Sequence, residues 1–314
     1  MAKYILKRLV MCLVVIFCAS IVIFTIMYFV PGDPVEIMLG ANADVEMKDA
    51  LRAQLGLDQP YLVQLGSFLY NAFIKFDLGI SYTYNAPMMT EILSRFPRTL
   101  AIGISCIVID VLVSLPMGIW AALNQGKFQD RFSTVLAMAC VSIPDFWFAL
   151  MLVIVFSQKL HWLPSYGIGG IKYYIMPVMA GSLAGIGGLL RQTRSGMLDV
   201  MRSDFVTTAR AKGVAESKVI TKHMLPNALI PVITVIGSHF GRCVAGTVII
   251  EQIFSIPGIG AYMLNAVNSR DYPVIRGGVI LLAFTTSVIM LIVDLIYAVV
   301  DPRIKAQYAG KAAN

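Results

Sequence analysis

Four ionisable residues lie inside long apolar runs: Asp110, Asp145, Arg242 and Asp294. A charge at the centre of a membrane helix costs at least about 2.5–3.5 kcal/mol on insertion scales, so each of them needs a partner or water. One hypothesis is a polar pathway, with Arg242 paired to Asp110 or to Asp294. Asp145 follows Pro144 in a broken stretch and is a candidate for facing a cavity. The alternative is a purely structural ion pair, or residues close enough to an interface to reach water.

No other pattern in the sequence predicts catalysis or metal binding. The two Gly-Lys pairs lack the upstream glycine and the following Ser or Thr of an ATP-binding loop. The three histidines are scattered, with no His-Glu-x-x-His pattern. The five cysteines include no Cys-x-x-Cys pair and fall in apolar runs, where a cysteine acts as a small packing residue. We therefore predict a chain that is not an enzyme and that holds no metal or cofactor of its own.

A basic stretch from residue 191 to 226 separates two of the apolar runs. Met197–Arg202 and Phe205–Lys212 are compatible with helix, Gly213 interrupts them, and a helical pattern resumes over Glu216–Met224. Two interpretations stay open. The helix, turn and helix form a surface that another protein grips, or they form a basic loop held near anionic lipid headgroups.

The apolar runs decide the class of protein. Of the 314 residues, 58% are apolar and 14% are charged, whereas about 25% of the residues in a soluble domain are charged. This composition excludes a soluble enzyme, a disulfide-rich secreted scaffold and a disordered chain. About 20 residues are needed to cross the hydrocarbon core as a helix, so we expect an all-α membrane protein with about six spans. The predicted spans are 9–30, 99–123, 132–158, 228–250 and 277–300, with a shorter, Gly-rich one at 174–190.

The distribution of Lys and Arg predicts the orientation. With six spans both termini lie on one side, and the segments on that side hold most of the basic residues. The positive-inside rule therefore places both termini in the cytoplasm. The net charge of +7 follows from this topology and gives no reason to invoke nucleic acid.

The outer segment, 31–98, is acidic and too long for a simple connection. Its pattern predicts helices over Asp44–Leu55 and Tyr61–Ile74, separated by a Gly- and Pro-containing break. We expect this segment to pack as a helical lid on the outer face, and the alternative is a floppy loop.

The basic inner stretch also carries a known motif. Thr207–Gly213 followed by Leu225-Pro226 resembles the EAA loop of ABC-importer permeases, and Gly213 and Pro226 have the 13-residue separation of that motif. Thr207 and Thr208 replace the leading Glu and Ala, and His223 replaces an Ile, as in the peptide/nickel branch. Further segments with the same resemblance run from residue 4 to about 305: Tyr4–Leu9, Pro31–Pro34, Leu55–Pro60, Asp77–Gly79, Ser142–Trp147, Trp162–Pro164, Glu251–Phe254, Pro257–Gly260, Arg270–Ile275 and Asp301–Arg303.

The resemblance implies a type I ABC-importer permease fold, specifically the first, B-type permease of a dipeptide, oligopeptide or nickel importer. The implied partners are a second homologous permease, two cytoplasmic ATPase subunits that bind ATP and Mg²⁺, an external substrate-binding protein and membrane lipid. The turn around Gly213 is then the coupling helix that sits on an ATPase. The implied coupling residues are Thr207, Thr208, Ala209, Arg210, Ala211, Lys212, Gly213, Val214, Ala215, Glu216, Leu225 and Pro226.

The implied organisation has four parts in a bacterial inner membrane. They are residues 1–30 with the first span, the outer segment 31–98, the permease core 99–302 with the coupling loop at about 199–226, and a cytoplasmic tail 303–314. Di- and oligopeptides are the expected cargo, with nickel, a nickel chelate or glutathione as alternatives. The rival hypothesis is a secondary carrier that works alone, for which the sequence shows neither a dense set of buried carboxylates nor repeated halves.

Overall fold

The structure is a computed structural model that describes residues 2–40 and 42–300, and the described chain folds into helices joined by turns. The Asp301–Arg303 motif and the predicted tail lie outside the described residues. The helices are α1 (Ala2–Phe29), α2 (Pro34–Leu39), α3 (Val45–Leu55), α4 (Tyr61–Phe73), α5 (Met88–Leu123), α6 (Phe128–Ser142), α7 (Asp145–Leu152, continued as a π-helix over Val153–Lys159), α8 (Lys172–Met201), α9 (Asp204–Ala211), α10 (Glu216–Lys218, continued as a π-helix over Val219–Met224), α11 (Leu225–Gly246), α12 (Val248–Ile253), α13 (Ile259–Asn268) and α14 (Tyr272–Val300).

Five helical segments are long and apolar enough to cross a membrane, and the bent pair α6 and α7 makes up to six. This confirms the all-α membrane fold that the composition predicts. The five are Ile5–Phe29, Met88–Leu123, Lys172–Met201, Glu216–Ala245 and Tyr272–Ile296.

The third predicted span is broken rather than straight. Phe128–Ser142 and Asp145–Lys159 meet at an angle of 96°. Ile143, between them, has extended backbone angles, with φ −81° and ψ 124°. A residue that precedes proline is disfavoured in the helical conformation, so Pro144 explains why the helix stops at this point.

Two helices are longer than the apolar runs that predicted them. α5 begins at Met88, ahead of its apolar stretch, where the half-buried side chains of Glu91 and Arg95 form an i,i+4 ion pair of 2.5 Å. The helix predicted over Met197–Arg202 is confirmed as far as Met201, where it forms the end of α8. α8 stays helical beyond its apolar run and goes on burying side chains there, including Met197.

The described chain divides into two compact units. The first unit comprises residues 2–8, 100–256 and 288–300, and two apolar clusters stabilise it. One cluster joins α5, α7, α8 and α12 through residues such as Ile102, Leu152, Met176 and Phe254. The other, which we call the inner cluster, joins α5, α8, α9, the π-helix after α10, and α11. The inner cluster consists of Ala122, Met197, Val206, Ala209, Val219, Met224 and Ala228.

The second unit comprises residues 9–99 and 257–287 and contains the predicted helical outer segment. Asp33 caps α2, because its side chain accepts a hydrogen bond from the Val35 N–H at 2.9 Å. Gly56 ends α3 in the left-handed conformation, with φ 68°. The apolar cluster of this unit includes Met88 and Ile92 of α5 and Tyr262 of α13.

Candidate functional site

The turn after α9 has the hydrogen bonds of a Schellman motif. The Gly213 N–H donates to the Arg210 carbonyl at 2.9 Å, and the Val214 N–H donates to the Ala209 carbonyl at 3.2 Å. Gly213 has φ +73°, and a Cβ added there would meet nothing within 4 Å. Glycine is therefore required by the backbone conformation rather than by crowding.

An ion pair closes the same turn. Arg210 donates from Nη2 to Oε1 of Glu216 at 2.6 Å and from Nε to Oε2 at 3.1 Å. This bidentate geometry is the most directional that a carboxylate and a guanidinium can adopt. The hydrogen bond from Arg210 lowers the pKa of Glu216. Because the pair is exposed, it fixes the geometry of the turn more than it stabilises the fold.

The inner cluster anchors both sides of the turn. Val206 and Ala209 before it, and Val219 and Met224 after it, are buried, with 0% exposure for all but Ala209. They pack with Met197 of α8 and with α11. The segment from 207 to 218 is otherwise exposed, apart from the half-buried Val214. A rigid exposed turn is thus attached directly to two membrane helices.

The structure brings ten of the twelve predicted coupling residues together on this turn and places two beyond it. Thr207 to Glu216 surround Gly213, whereas Leu225 and Pro226 form the first turn of α11. The predicted helix Phe205–Lys212 corresponds to α9, and the predicted helix Glu216–Met224 is α-helical only to Lys218. The exposed members are Thr207, Thr208, Arg210, Ala211, Lys212, Gly213, Ala215, Glu216 and Pro226.

The pairing predicted for the intramembrane charges is wrong. Asp110 is 2.7 Å from Nδ1 of His239, and Asp294 is 2.9 Å from a guanidinium nitrogen of Arg8. Arg242 is exposed and makes no ion pair with another described residue, and Asp145 is exposed too. Arg242 is the one arginine within the predicted spans, whereas the observed partners are a histidine of α11 and an arginine that precedes the first predicted span.

The Asp110–His239 pair lies where α5, α8 and α11 meet. Both side chains are buried, at 2% and 9% exposure. A Cβ on Gly185 would overlap both of them, so only glycine on α8 admits the pair. A cavity of about 10 Å³ adjoins the three residues, which is about the space of one water molecule. His239 was missed although it lies in an apolar run, where any ionisable side chain needs an explanation.

An ion pair between Asp130 and Arg194 links the start of α6 to α8. Arg194 donates to both carboxylate oxygens of Asp130, and Asp130 also accepts the Gly126 N–H at 2.9 Å. Asp130 is nearly buried, with 7% of its side chain exposed. The pair therefore holds the turn between α5 and α6 against the end of α8 from which the Gly213 turn follows.

Two family models match this chain. Residues 114–306 match the model described as binding-protein-dependent transport system inner membrane component, and residues 1–103 match the N-terminal model of the same system. The chain is 37% identical over 305 residues to the glutathione transport system permease protein GsiC of Escherichia coli K12, covering 97% of this chain and 99% of the relative. It is 39% identical over 313 residues to a putative peptide transport system permease protein of Brucella abortus strain 2308, with the same coverage.

Solved structures share the fold at low identity. The MetNI methionine ABC transporter, in an inward-facing conformation, matches with a TM-score of 0.59 at 16% identity, covering 68% of this chain and 98% of that one. An amino acid ABC transporter matches with a TM-score of 0.53 at 14% identity, covering 67% and 94%. The chain therefore belongs to the binding-protein-dependent transport family: it is a multi-pass inner-membrane permease subunit of an ABC importer, whose ATP hydrolysis is carried out by separate ATPase subunits.

Proposed function

We propose that this permease pairs with a second, related permease and two ATPase subunits to import short peptides that an external binding protein delivers. The relatives support the cargo, because one is named for peptide transport and another for glutathione transport. Glutathione is itself a tripeptide, so both names point to small ligands with amide bonds and free carboxylates. Both termini lie in the cytoplasm in this proposal, as the excess of Lys and Arg on that side supports.

The exposed turn at Gly213 is the proposed contact with an ATPase subunit, and its anchorage is the observation that carries this role. A docking element must be exposed on one face and firmly attached on the other. Residues 207–218 meet the first condition, and the inner cluster meets the second. The bidentate Arg210–Glu216 pair holds the turn itself in one geometry.

In this proposal a displacement of the ATPase subunit moves the membrane helices directly, because no flexible segment lies between the Gly213 turn and these helices. α8 and α11 approach so closely that a Cβ on Gly196 would lie 2.9 Å from the Ala228 carbonyl oxygen. The inner cluster fixes the turn to both helices near this crossing, so a rigid-body displacement of the turn tilts them together. In this mechanism the tilt opens the pathway on one side and closes it on the other.

A bulky substitution on the turn tests the docking role. Ala211 is exposed on α9, so Ala211→Trp should leave the fold intact and prevent close contact with a partner. Gln125, exposed on the turn between α5 and α6, provides the matched control as Gln125→Trp. We expect Ala211→Trp to abolish binding-protein-stimulated ATPase activity and peptide uptake in proteoliposomes, and the control to retain both. Normal uptake by Ala211→Trp would contradict the assignment.

The composition of the complex needs a separate measurement. Native mass spectrometry of the complex, purified in mild detergent from its own membrane, should give a mass equal to this chain plus one different permease and two ATPase subunits. A mass corresponding to two copies of this chain would refute the heteromeric pairing.

A further inference from the structure

The second unit contains a cavity of about 670 Å³ that the transport mechanism above does not use. Its walls come from α3, α4, the segment 77–85 and the first turns of α14. Sites for small ligands typically measure about 300–1,000 Å³. The cavity is therefore large enough for a peptide of a few residues.

Arg276 of α14 lines this cavity without an anionic partner. Its guanidinium carbon lies 4.5 Å from the ring centre of Phe24 and 5.7 Å from that of Phe68. Its Nε is buried and has no hydrogen bond, and no described acidic residue pairs with it. Aromatic rings offset only part of the cost of removing a guanidinium from water. An arginine in this setting indicates a site for an anion.

The remaining polar groups of the cavity match a peptide better than a simple anion. The side-chain amides of Gln54, Asn71 and Asn85 line it, with Asn71 half-buried and the other two exposed. Side-chain amides can both donate to and accept from peptide bonds. Asp77, which is exposed, adds a negative charge to the same lining. The cavity thus offers a cation, side-chain amides and a carboxylate, one oxygen of which accepts the Gly79 N–H, and these groups complement the carboxylate, amide bonds and ammonium of a short peptide.

We propose that this cavity is a second peptide-binding site, in which Arg276 binds the C-terminal carboxylate. A carboxylate fits the planar fork of a guanidinium with two charge-assisted hydrogen bonds. The inference rests on the proposed function only for the choice of a peptide as ligand. This site is tested by equilibrium binding without transport, whereas the proposed function is tested by uptake. A failure of one can therefore be distinguished from a failure of the other.

The experiment measures equilibrium binding of radiolabelled trialanine and of trialanine amide. The purified importer complex is held in phosphatidylcholine nanodiscs without its binding protein and without ATP. We expect trialanine to bind at least about tenfold more tightly than its amide, because the amide loses a charge-assisted interaction. This comparison needs no substitution, so it stands even if a variant fails to assemble. Equal affinity, or no saturable binding of either peptide, would overturn the proposal.

Two variants then locate the site. Arg276→Gln should weaken trialanine binding to the level of the amide. Lys75→Gln is the matched control, because Lys75 also lies over an aromatic ring, 5.4 Å from the centre of Tyr70, but outside the cavity. We expect the control to bind as the parent does. Unchanged trialanine binding in Arg276→Gln would show that the peptide binds elsewhere. If this variant kept trialanine binding but lost docking of the binding protein, or lost copurified phosphatidylglycerol, Arg276 would bind a different anion. Each of these results overturns the proposal.

Discussion

Gly213 gives the sharpest test of how the exposed turn works. Its φ of +73° lies in the left-handed region, and its N–H donates to the Arg210 carbonyl at 2.9 Å. Gly213→Ala keeps the N–H and adds a methyl group to open space. Gly213→Pro removes the N–H and fixes φ near −65°, which excludes the observed turn.

The expected magnitude follows from the backbone. A residue with a Cβ costs about 1–2 kcal/mol in the left-handed region, which lowers the ratio of native to non-native turn by a factor of about 5–30. We therefore expect a several-fold loss of uptake for Gly213→Ala and complete loss for Gly213→Pro. Membrane insertion should survive in both, because the inner cluster that anchors the turn does not include Gly213.

A matched control separates coupling from stability. Gly126 has φ +80°, also with nothing within 4 Å of an added Cβ, so Gly126→Ala carries the same strain outside the proposed contact. The assay is ATP-driven peptide uptake in proteoliposomes, with thermal unfolding of each complex measured in parallel. We expect both alanine variants to lose similar stability and only Gly213→Ala to lose uptake. Equal uptake in the two variants, or normal uptake by Gly213→Pro, would refute the reasoning.

The surface ion pair, the packing of α8 and the buried aspartate each lead to a measurable expectation. Arg210 lowers the pKa of Glu216, so their contact persists above the ordinary pKa of 4.5 and is lost as pH falls through the lowered value. Glu216→Gln should therefore reduce stimulated ATPase activity at pH 7, and unchanged activity would contradict this. Gly187→Ala should destabilise the complex by about 1–3 kcal/mol in thermal unfolding, since its Cβ would strike the α6 backbone. Gly188→Ala is the control, because a Cβ at Gly188 has no atom within 4 Å and should not change the stability. Equal losses of stability in the two variants would contradict the packing of Gly187 against α6. Asp110→Leu removes the carboxylate 2.7 Å from His239 Nδ1 and leaves this buried histidine with its contact to the Cys243 thiol, so we expect a loss of about 1–3 kcal/mol; an unchanged unfolding temperature would contradict that.

Most of the fold follows from local sequence. Apolar runs of sufficient length predicted the membrane helices, and Gly56 correctly marks the end of α3 in the outer segment. The extents of α5 and α8 did not follow, because hydropathy reports only the part of a helix that contacts lipid. Pro144 marks the interruption of the third span in the sequence, but the 96° angle between its two halves does not follow from the sequence.

Only the local part of the candidate site could be predicted from the sequence. The turn at Gly213 is a local motif, so its spacing in the sequence was sufficient to place it. The partners of Asp110 and Asp294 are distant in the sequence, at His239 and Arg8, and depend on how the helices pack. A single sequence shows that a buried charge needs a partner, but packing decides which residue that partner is.

Site-specific cross-linking tests the central claim most directly. A photo-reactive amino acid replaces Lys212, which is exposed on the turn, or Ile171, which is 84% exposed just before α8. The importer complex is then irradiated in its native membrane, and the products are identified by mass spectrometry. We predict a cross-link to an ATPase subunit from position 212 and none from position 171. An ATPase cross-link from position 171 but not from 212, in a complex that hydrolyses ATP, would contradict the account.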